Sequence, residues 1–410
     1  MNIALLGYGK EGQAAEKYFK SKDQDTTFEI FQNFTPEEIR QQDFSGFDTV
    51  LRSPSVPPLH LKNESSMTRY FFDHCPCPII GVTATKGKGT TCSLIKAILE
   101  ALGQDVHLVG NIGIPSIEVL DQLTPNSVVV YEMSSFQLWD LEKSPHIAVV
   151  GTIEPDHLNV HKDFDEYVSA KANICRHQTA DDYTIYYKDN PDSVKIAEQS
   201  IAHKIPYPFE VPAEVLAALQ IPGAHNERNA IAAIAAVASF KNLTPADFIA
   251  KYNTEIKQGF SNFKGLPHRL EFLREFDGIR YYDDNFSTTP TSTKVAVEAF
   301  PDDNAVLIVG GRDKTGNADL PEVYEIISAP QIKEIVLIGE SGRELESRFH
   351  DPRFTSAESL EDAIKKATDL AKNYQNPIVM MSPAAASFDM FKDVYDRGTK
   401  FQTLINNLDK

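Results

Sequence analysis

The sequence lacks an excess of positive charge. Its 410 residues contain 40 lysines and arginines against 58 aspartates and glutamates, and the formal net charge is −18. Nucleic acids and anionic membrane surfaces attract proteins with a positive surface, so this composition argues against general affinity for either of them. We therefore expect no nucleic acid partner, and we expect any anionic ligand to bind in a local pocket.

The sequence also lacks an apolar run of membrane-spanning length, and MNIALLGYGKEG at its start has no features of a secretion signal. These absences predict a cytoplasmic protein without membrane insertion. Cysteines are few, namely Cys75, Cys77, Cys92 and Cys175. One residue separates Cys75 from Cys77, whereas common zinc and redox motifs have two intervening residues. We therefore expect reduced thiols that are incidental to the structure.

The segment from Gly81 to Thr91, GVTATKGKGTT, is typical of a strand that leads through a glycine-rich turn into a helix. The backbone amides of such a turn, the positive end of the helix and the side chain of Lys88 can surround one anion. The usual phosphate-binding loop has Ser or Thr directly after its lysine, and that hydroxyl binds magnesium. Here Gly89 follows, and Thr90 comes next. We favour a nucleotide-binding site over a merely structural turn.

A second glycine cluster, Gly7-Tyr-Gly9-Lys-Glu-Gly12, also follows a predicted strand and precedes a helical pattern. It fits the fingerprint in which backbone amides approach the pyrophosphate of a dinucleotide. The acidic ribose contact expected after the next strand is missing, because Gln32 and Asn33 stand there. Nicotinamide dinucleotide binding is therefore disfavoured, while a uridine or other diphosphate ligand and a structural turn both stay open.

Glu132 in YEMSSFQL and His157 in EPDHLNVH stand at the ends of two further predicted strands. Parallel sheets gather their ligands at this edge, so both residues are candidates for binding magnesium or acting as a general base. Either could equally be a capping or surface residue. Lys171 lies on an amphipathic helix, and from the residues alone we prefer a solvated lysine.

The organisation of the chain follows from its length and its alternating patterns. Runs typical of strands, such as NIALLG, PIIGVTA and AVLIVGG, alternate with helical patterns, which predicts parallel sheets flanked by helices. Interruptions at CPCP and FKGLPHRLE mark two seams. We predict an α/β protein with a Rossmann-like amino-terminal domain (1–78), a central P-loop ATPase domain with a mostly parallel sheet (79–264) and a Rossmann-like carboxy-terminal domain (265–410).

Taken in order, the motifs resemble those of the Mur ligase family. The set consists of LLGYGKEG, RSPSVPP, TKGKGTT, GNIGIP, EMSSFQL, PDHLNVH, AKANI, GAHNERN, GLPHRLE, GGRDKTG and SPAAASFDMFKDVYDRGTKF. The last motif and the glycine-rich first domain resemble the branch of the family that adds D-glutamate. The resemblance implies a monomeric ligase that uses ATP and Mg²⁺ to join UDP-N-acetylmuramoyl-L-alanine to D-glutamate through an acyl phosphate.

The resemblance also implies roles for individual residues. The implied catalytic residues are Lys88, His157 and Lys171, the last of them carbamylated. The implied magnesium ligands are Thr90, Glu132, His157 and Lys171. The implied ATP contacts are Thr85, Gly87, Lys88, Gly89, Thr90, Thr91, Asn226, Asn229, Arg269 and Asp284. The implied substrate contacts are Gly9, Lys10, Asn111, Ser135, Thr288, Lys314 and Ser387.

The chain departs from the family pattern at several positions. Folylpolyglutamate synthases, which are relatives, also have glycine after the loop lysine, and this similarity favours Thr90 as the displaced magnesium ligand. Ala84 replaces a loop glycine, Phe286 stands at the position of a family lysine, and Val394 stands where an aromatic residue is frequent.

The alternatives to a D-glutamate-adding ligase are a folylpolyglutamate-type ligase, an NAD-dependent oxidoreductase and a nucleotide-binding protein without catalytic activity.

Overall fold

The fold is known from a computed structural model that describes residues 1–158, 160–312 and 321–409. The chain divides into two compact units. The first contains Met1–Leu219 and Glu227–Phe263, and the second contains Gln220–Asn226 and Lys264–Lys410. Each of the three predicted domains contributes one sheet, and the predicted α/β class is confirmed. The boundaries proposed between the domains stay a prediction.

The first sheet, in the first unit, is parallel and has the strand order β2-β1-β3-β4. Residues 3 to 6 of the central strand are all apolar and fully buried, as expected for a strand covered on both faces. The elements are β1 (Asn2–Leu6), α1 (Lys10–Lys22), β2 (Thr27–Phe31), α2 (Pro36–Arg40), β3 (Thr49–Arg52), β4 (Glu64–Ser66) and α3 (Met67–His74).

The second sheet, also in the first unit, has six parallel strands in the order β10-β9-β8-β5-β7-β6. Its central strand β5 is buried along its whole length. The elements are β5 (Ile79–Thr83), α4 (Lys88–Ala101), β6 (Asp105–Gly110), β7 (Ser127–Glu132), α5 (Ser135–Leu138), β8 (Ile147–Val150), α6 (Phe164–Arg176), β9 (Tyr183–Tyr187), α7 (Pro191–Ala197), β10 (His203–Tyr207), α8 (Ala213–Leu216), α9 (Ala224–Phe240) and α10 (Pro245–Asn262). Short 3-10 helices cover Ser116–Glu118 and Leu120–Gln122.

The third sheet, in the second unit, has the strand order β11-β12-β16-β13-β14-β15. Only its edge pair β11 and β12 is antiparallel. The elements are β11 (Glu271–Phe276), β12 (Ile279–Asp283), α11 (Pro290–Glu298), β13 (Asn304–Gly310), α12 (Pro321–Ser328), β14 (Ile332–Ile338), α13 (Gly339–Phe349), β15 (Phe354–Ser356), α14 (Leu360–Ala371), β16 (Pro377–Met381) and α15 (Val394–Asn406).

Parallel strands of the second sheet bring the predicted site residues to one edge. Strand β5 pairs with β7 on one side and with β8 on the other. The glycine-rich loop follows β5, Glu132 ends β7, and the segment with His157 follows β8. Within the described ranges, no helix is both long enough and apolar enough to cross a membrane.

Candidate active site

The loop between β5 and α4 is built around Lys88 and Gly87. The Lys88 ammonium donates to the carbonyl oxygens of Ala84 at 2.9 Å and Thr85 at 3.0 Å, which turns the loop back on itself. Gly87 precedes the helix with φ +84°, a conformation that glycine adopts without steric cost. A Cβ at this position would lie 2.7 Å from Oδ1 of Asn229, so glycine is also required for space.

Ala84 fits the loop although glycine was expected there. Its side chain is buried, and its φ is not positive, so the methyl group causes no backbone strain. A Cβ on neighbouring Gly151 would come within 2.8 Å of the Ala84 Cβ. The methyl group of Ala84 therefore lies against the space that Gly151 leaves open.

Thr90 and Thr91 differ in their surroundings. The Thr91 side chain is buried, and its hydroxyl donates to Oδ1 of Asn229 at 3.3 Å. Thr90 is partly exposed in the first turn of α4, one residue after Gly89, and its hydroxyl forms no hydrogen bond within the described part of the chain. Thr91 thus holds the helix in place, while the Thr90 hydroxyl is available to a ligand.

Thr85 connects the loop to helix α6. Its hydroxyl lies 2.9 Å from the Tyr167 hydroxyl and 3.0 Å from the carbonyl oxygen of Glu154, and its amide donates to Thr152 at 2.7 Å. Tyr167 and Lys171 are one turn apart on α6. The tyrosine was not among the predicted site residues, although its spacing from Lys171 could have drawn attention to it.

Lys171 is buried, with 1% of its surface exposed, so the interpretation of this residue as a solvated lysine is wrong. Its ammonium donates to the carbonyl oxygen of Ala84 at 2.9 Å and to the Thr83 hydroxyl at 3.2 Å. Burial is the main reason why the pKa of Lys171 lies well below its ordinary value, and the positive charge of Lys88 lowers it further. The pattern of α6 shows an amphipathic helix but does not show which neighbours cover each side chain.

Glu132 brings a carboxylate to the same edge of the sheet. It is 6% exposed, and Oε1 accepts a hydrogen bond from the Asn111 amide at 3.4 Å. The Glu132 charge raises the pKa of Lys171, as does Asp156. Because Mg²⁺ prefers hard oxygen ligands, the Glu132 carboxylate and the Thr90 hydroxyl fit a magnesium ion.

His157 lies on the exposed side of this region. It has φ +54°, and its Nε2 is 3.6 Å from a carboxylate oxygen of Asp156. Its ring contacts Phe136, and His161 stacks on the same Phe136 ring with centroids 5.3 Å apart. His161 is buried and its Nε2 lies 2.9 Å from the Ser135 hydroxyl. His161 was not among the predicted site residues, although its four-residue spacing from His157 could have suggested it.

The first glycine cluster lies against the segment that follows β7. Gly9 and Lys10 are exposed at the start of α1, which a short turn connects to β1. The next residue, Glu11, accepts a hydrogen bond from Gln137 of α5 at 3.2 Å. Burial raises the pKa of Glu11 to about 7. The loop with Gly9 and Lys10 is thereby tied to the short helix that begins at Ser135.

Five predicted site residues of the second unit can be placed. Asp284 is buried and accepts hydrogen bonds from the Ser382 hydroxyl at 2.6 Å and the Leu270 amide at 3.2 Å. Burial raises the pKa of Asp284 to about 7.

The guanidinium of Arg269 lies over the Phe286 ring at 5.4 Å. The remaining three are Asn226, which donates to the Pro222 carbonyl at 2.6 Å, Thr288, which donates its amide to Phe286, and the buried Ser387.

Ser387 has an unusual environment for a buried hydroxyl. It is 1% exposed, and Oγ has no hydrogen-bond partner among the residues that the structure describes. An unpaired buried hydroxyl is costly, so a polar ligand group would improve its environment. Lys314, the other predicted contact in this part of the chain, lies outside the described residues.

Comparisons with known proteins identify the family. The Mur ligase middle domain matches residues 82–237, and the Mur ligase, glutamate ligase domain matches residues 268–384. UDP-N-acetylmuramoylalanine--D-glutamate ligase of Acetivibrio thermocellus is 34% identical over 403 residues, which cover 89% of this chain and 84% of the relative. The chain belongs to the Mur ligase family. The resemblance on which the sequence analysis relied is confirmed, and the oxidoreductase alternative is not supported.

Further similarities cover nearly the whole chain. The enzyme of the same name from Clostridium tetani is 31% identical over 443 residues, which cover 100% of this chain and 92% of the relative. The crystal structure of MurF ligase from Thermotoga maritima in complex with ADP has a TM-score of 0.60 at 14% identity, and the match covers 99% of this chain and 95% of that one. Mur ligases are ATP-dependent enzymes that form amide bonds. The individual roles of the site residues stay predictions.

Proposed function

We propose that this Mur ligase adds D-glutamate to UDP-N-acetylmuramoyl-L-alanine in peptidoglycan precursor synthesis, as a cytoplasmic monomer that uses ATP. The names of the two relatives support the pair of substrates. One structural observation carries the proposal: a phosphate-loop lysine, Lys88, shares an edge of one parallel sheet with the carboxylate of Glu132 and the buried amine of Lys171. This combination suits phosphoryl transfer from a nucleotide.

The reaction has two steps. A carboxylate oxygen of the muramoyl substrate attacks the γ-phosphorus of ATP, the bond from that phosphorus to the bridging oxygen breaks, and ADP leaves. The amine of D-glutamate then attacks the carbonyl carbon of the acyl phosphate, inorganic phosphate leaves, and the nitrogen loses a proton. Phosphorylation is needed because the oxide of a carboxylate is a poor leaving group.

The protein contributes charge and alignment to these steps. A carboxylate and ATP repel each other, so a cation between them lowers the barrier. The Lys88 ammonium supplies one such charge, and the amides at the start of α4 supply the positive end of a helix dipole. Bound Mg²⁺ would neutralise further phosphate charge, and the residues suited to hold it are Thr90, Glu132, His157 and a carbamylated Lys171.

The environment of Lys171 favours carbamylation. Burial holds the pKa of Lys171 well below its ordinary value, which favours the neutral amine, and the neutral amine is the form that can attack the carbon of CO₂. The nitrogen loses a proton, and the product is an anionic carbamate. The modification would replace a buried amine by a carboxylate-like group, which is a better partner for a hard metal ion.

The Lys171→Ala variant tests this role. We expect it to lose most of its ADP formation, and we expect excess formate or acetate to restore part of the activity by supplying the missing carboxylate. Lys86→Ala is the matched control, because Lys86 is an exposed lysine of the loop between β5 and α4 that Lys171 contacts. Full activity of Lys171→Ala would contradict the carbamate role.

The proposed function is tested by measuring ADP formation with purified protein, Mg²⁺ and ATP. We expect ADP only when UDP-N-acetylmuramoyl-L-alanine and D-glutamate are both present, and we expect one phosphate for each amide formed. A folate with L-glutamate is the comparison that represents the alternative ligase. Turnover with the folate pair, or no ATP consumption with any UDP-muramoyl acid, would refute the proposal.

A further inference from the structure

Two thiols lie in contact in the segment that connects α3 to β5. Cys75 follows the last residue of α3, and β5 begins two residues after Cys77. The two sulfur atoms are 3.6 Å apart, and the Cys75 thiol also lies 3.5 Å from the carbonyl oxygen of Cys77. The one-residue spacing predicts thiols that are incidental to the structure, but it places the two side chains on the same side of the chain.

The backbone around this pair is constrained. The amide of Cys75 donates to the carbonyl oxygen of Phe71 at 2.8 Å, which fixes the end of α3. Pro76 and Pro78 each fix one backbone dihedral angle on either side of Cys77. The chain therefore holds the sulfur atoms close together before any reaction, and it loses little conformational freedom when they are joined.

Accessibility separates this pair from the other cysteines. Cys75 and Cys77 are partly exposed at the border of the hydrophobic core of the second sheet, whereas Cys92 and Cys175 are buried. A small oxidant in solvent can reach the first two and is excluded from the last two. The chain thus carries its own unreactive reference thiols.

We propose that Cys75 and Cys77 form a modification site, a dithiol that a hydroperoxide converts reversibly into an intramolecular disulfide. The Cys75 thiolate attacks one peroxide oxygen, the O–O bond breaks, and Cys75 becomes a sulfenic acid while the other oxygen leaves as hydroxide, or as alkoxide from an organic hydroperoxide. The Cys77 sulfur then attacks the Cys75 sulfur, the S–O bond breaks, and water leaves with the Cys77 proton. Sulfur loses two electrons in total, and the peroxide gains them.

The two thiols are suited to different parts of this reaction. The hydrogen bond from Cys77 stabilises a thiolate on Cys75 and lowers the pKa of Cys75. The same hydrogen bond is the largest cause that raises the pKa of Cys77, and the charge of Asp105 adds to it. Since the thiolate is the nucleophile, Cys75 reacts first with the oxidant and Cys77 closes the disulfide.

Closure requires only a short movement. A disulfide bond is about 2.05 Å long, so the sulfur atoms must approach by roughly 1.5 Å. Side-chain rotation contributes to this approach, since neither cysteine residue is fully buried. The site does not depend on the ligase reaction, and its test needs no substrate.

The experiment treats the full-length folded protein with a small excess of hydrogen peroxide, blocks the remaining thiols with an alkylating agent and measures intact and peptide masses. We expect the peptide that contains both cysteines to lose two hydrogen masses and to resist alkylation. Dithiothreitol should restore both thiols. Cys92 and Cys175 should stay reduced in the same sample, and the Cys92→Ser, Cys175→Ser double variant should react as the wild type does.

Two single variants test the need for both thiols. In Cys77→Ser and in Cys75→Ser we expect oxygen masses on the remaining cysteine without an intramolecular disulfide. Circular dichroism checks that each variant is folded, and the wild-type result stands without them. The proposal is overturned if both thiols of the wild type stay open to alkylation, if only oxygen masses accumulate on one cysteine, or if the disulfide joins two protein molecules.

Discussion

At the scale of single residues, the sequence alone does not show whether Thr90 or Thr91 offers its hydroxyl to magnesium. The contacts of the two side chains in the folded protein distinguish them. Thr90 and Thr91 are adjacent and chemically identical, yet only Thr91 is buried against Asn229. The absence of a partner for the Thr90 hydroxyl within the described residues supports the interpretation that it serves the metal. The comparison with folylpolyglutamate synthases led to the same residue.

We therefore predict that Thr90→Ala lowers kcat/KM for ATP by roughly a hundredfold, the usual effect of removing one preorganised electrostatic contact. Thr91→Ala should instead destabilise the protein by about 1 kcal/mol through the lost hydrogen bond, with a smaller loss of activity. Steady-state ADP formation over a range of Mg²⁺ concentrations and thermal unfolding of both variants check this. Equal activity of the two variants would refute the assignment of the Thr90 hydroxyl as the magnesium ligand.

Asp284 makes a prediction about pH. Its folded-state pKa of about 7 lies above the ordinary value of 3.8, because burial disfavours the charged carboxylate. Between these values the folded state binds more protons than the unfolded state, so stability falls as the pH rises. We expect Asp284→Asn to lack this loss, which amounts to roughly a few kcal/mol. The free energy of unfolding of Asp284→Asn, relative to that of the wild type, should increase from pH 4 to pH 8.

Urea unfolding at several pH values measures the difference between Asp284→Asn and the wild type. The exposed Asp302 lies in the same unit, and Asp302→Asn is the matched control. A difference between Asp284→Asn and the wild type that does not vary with pH would show that Asp284 is ionised throughout.

At the scale of elements, the sequence predicts the phosphate-loop unit well. Helix α4 begins at Lys88 and buries Leu94, Ile95, Ile98 and Leu99, as the spacing of these residues indicates. Strand β7 ends at Glu132, and β8 precedes the segment with His157, so both strands lie where strands were predicted. The helical periodicity of α6 does not predict that Lys171 is buried. The loop after β5, which is distant in sequence, covers this side chain. Only the family resemblance predicted a special role for that lysine.

The ends of α4 offer a matched test of the loop. Gly87 and Gly103 have φ values of +84° and +72°, so alanine costs roughly 1 to 2 kcal/mol in backbone strain at either position. A Cβ at Gly87 would also meet Asn229, whereas a Cβ at Gly103 meets nothing within 4 Å. We expect both variants to lose stability and only Gly87→Ala to lose most of its ADP formation. A similar loss of activity in both variants would mean that the loss comes from the backbone strain that they share and not from the contact with Asn229.

At the scale of the whole molecule, the alternating pattern of strands and helices predicts the α/β class and the three sheets. The pattern does not predict that the first two sheets share one compact unit, because a unit is defined by contacts between distant segments. Arg52 is one such contact: its side chain is fully buried and pairs with Glu64 of the first sheet and Asp140 after α5. Nothing in RSPSVPP indicates these partners.

The resemblance implies that residues of the second unit select the amino acid. D-Glutamate brings a side-chain carboxylate, which is costly to bury without a cationic or donating partner. By the resemblance Phe286 stands at the position of a family lysine, and its ring lies beneath the Arg269 guanidinium. The buried Ser387 hydroxyl, which has no partner within the described ranges, can donate to a carboxylate. The resemblance implies that Thr288, Lys314 and Ser387 contact the substrate, and these residues supply donating and cationic groups for the side-chain carboxylate, whereas Arg269 is an implied ATP contact.

We therefore predict that D-glutamate is preferred over D-glutamine, its neutral isostere, by at least about tenfold in kcat/KM, because the isostere leaves these groups without an anionic partner. L-Glutamate should be a poor substrate, since the opposite configuration misplaces its amine or its side chain. One assay in which D-glutamate, L-glutamate, D-glutamine and D-alanine compete for UDP-N-acetylmuramoyl-L-alanine, with the products separated by mass and chirality, measures all these ratios. A preference for D-glutamine or D-alanine would mean that Phe286 has changed the specificity, while the phosphoryl-transfer chemistry around Lys88 would stand.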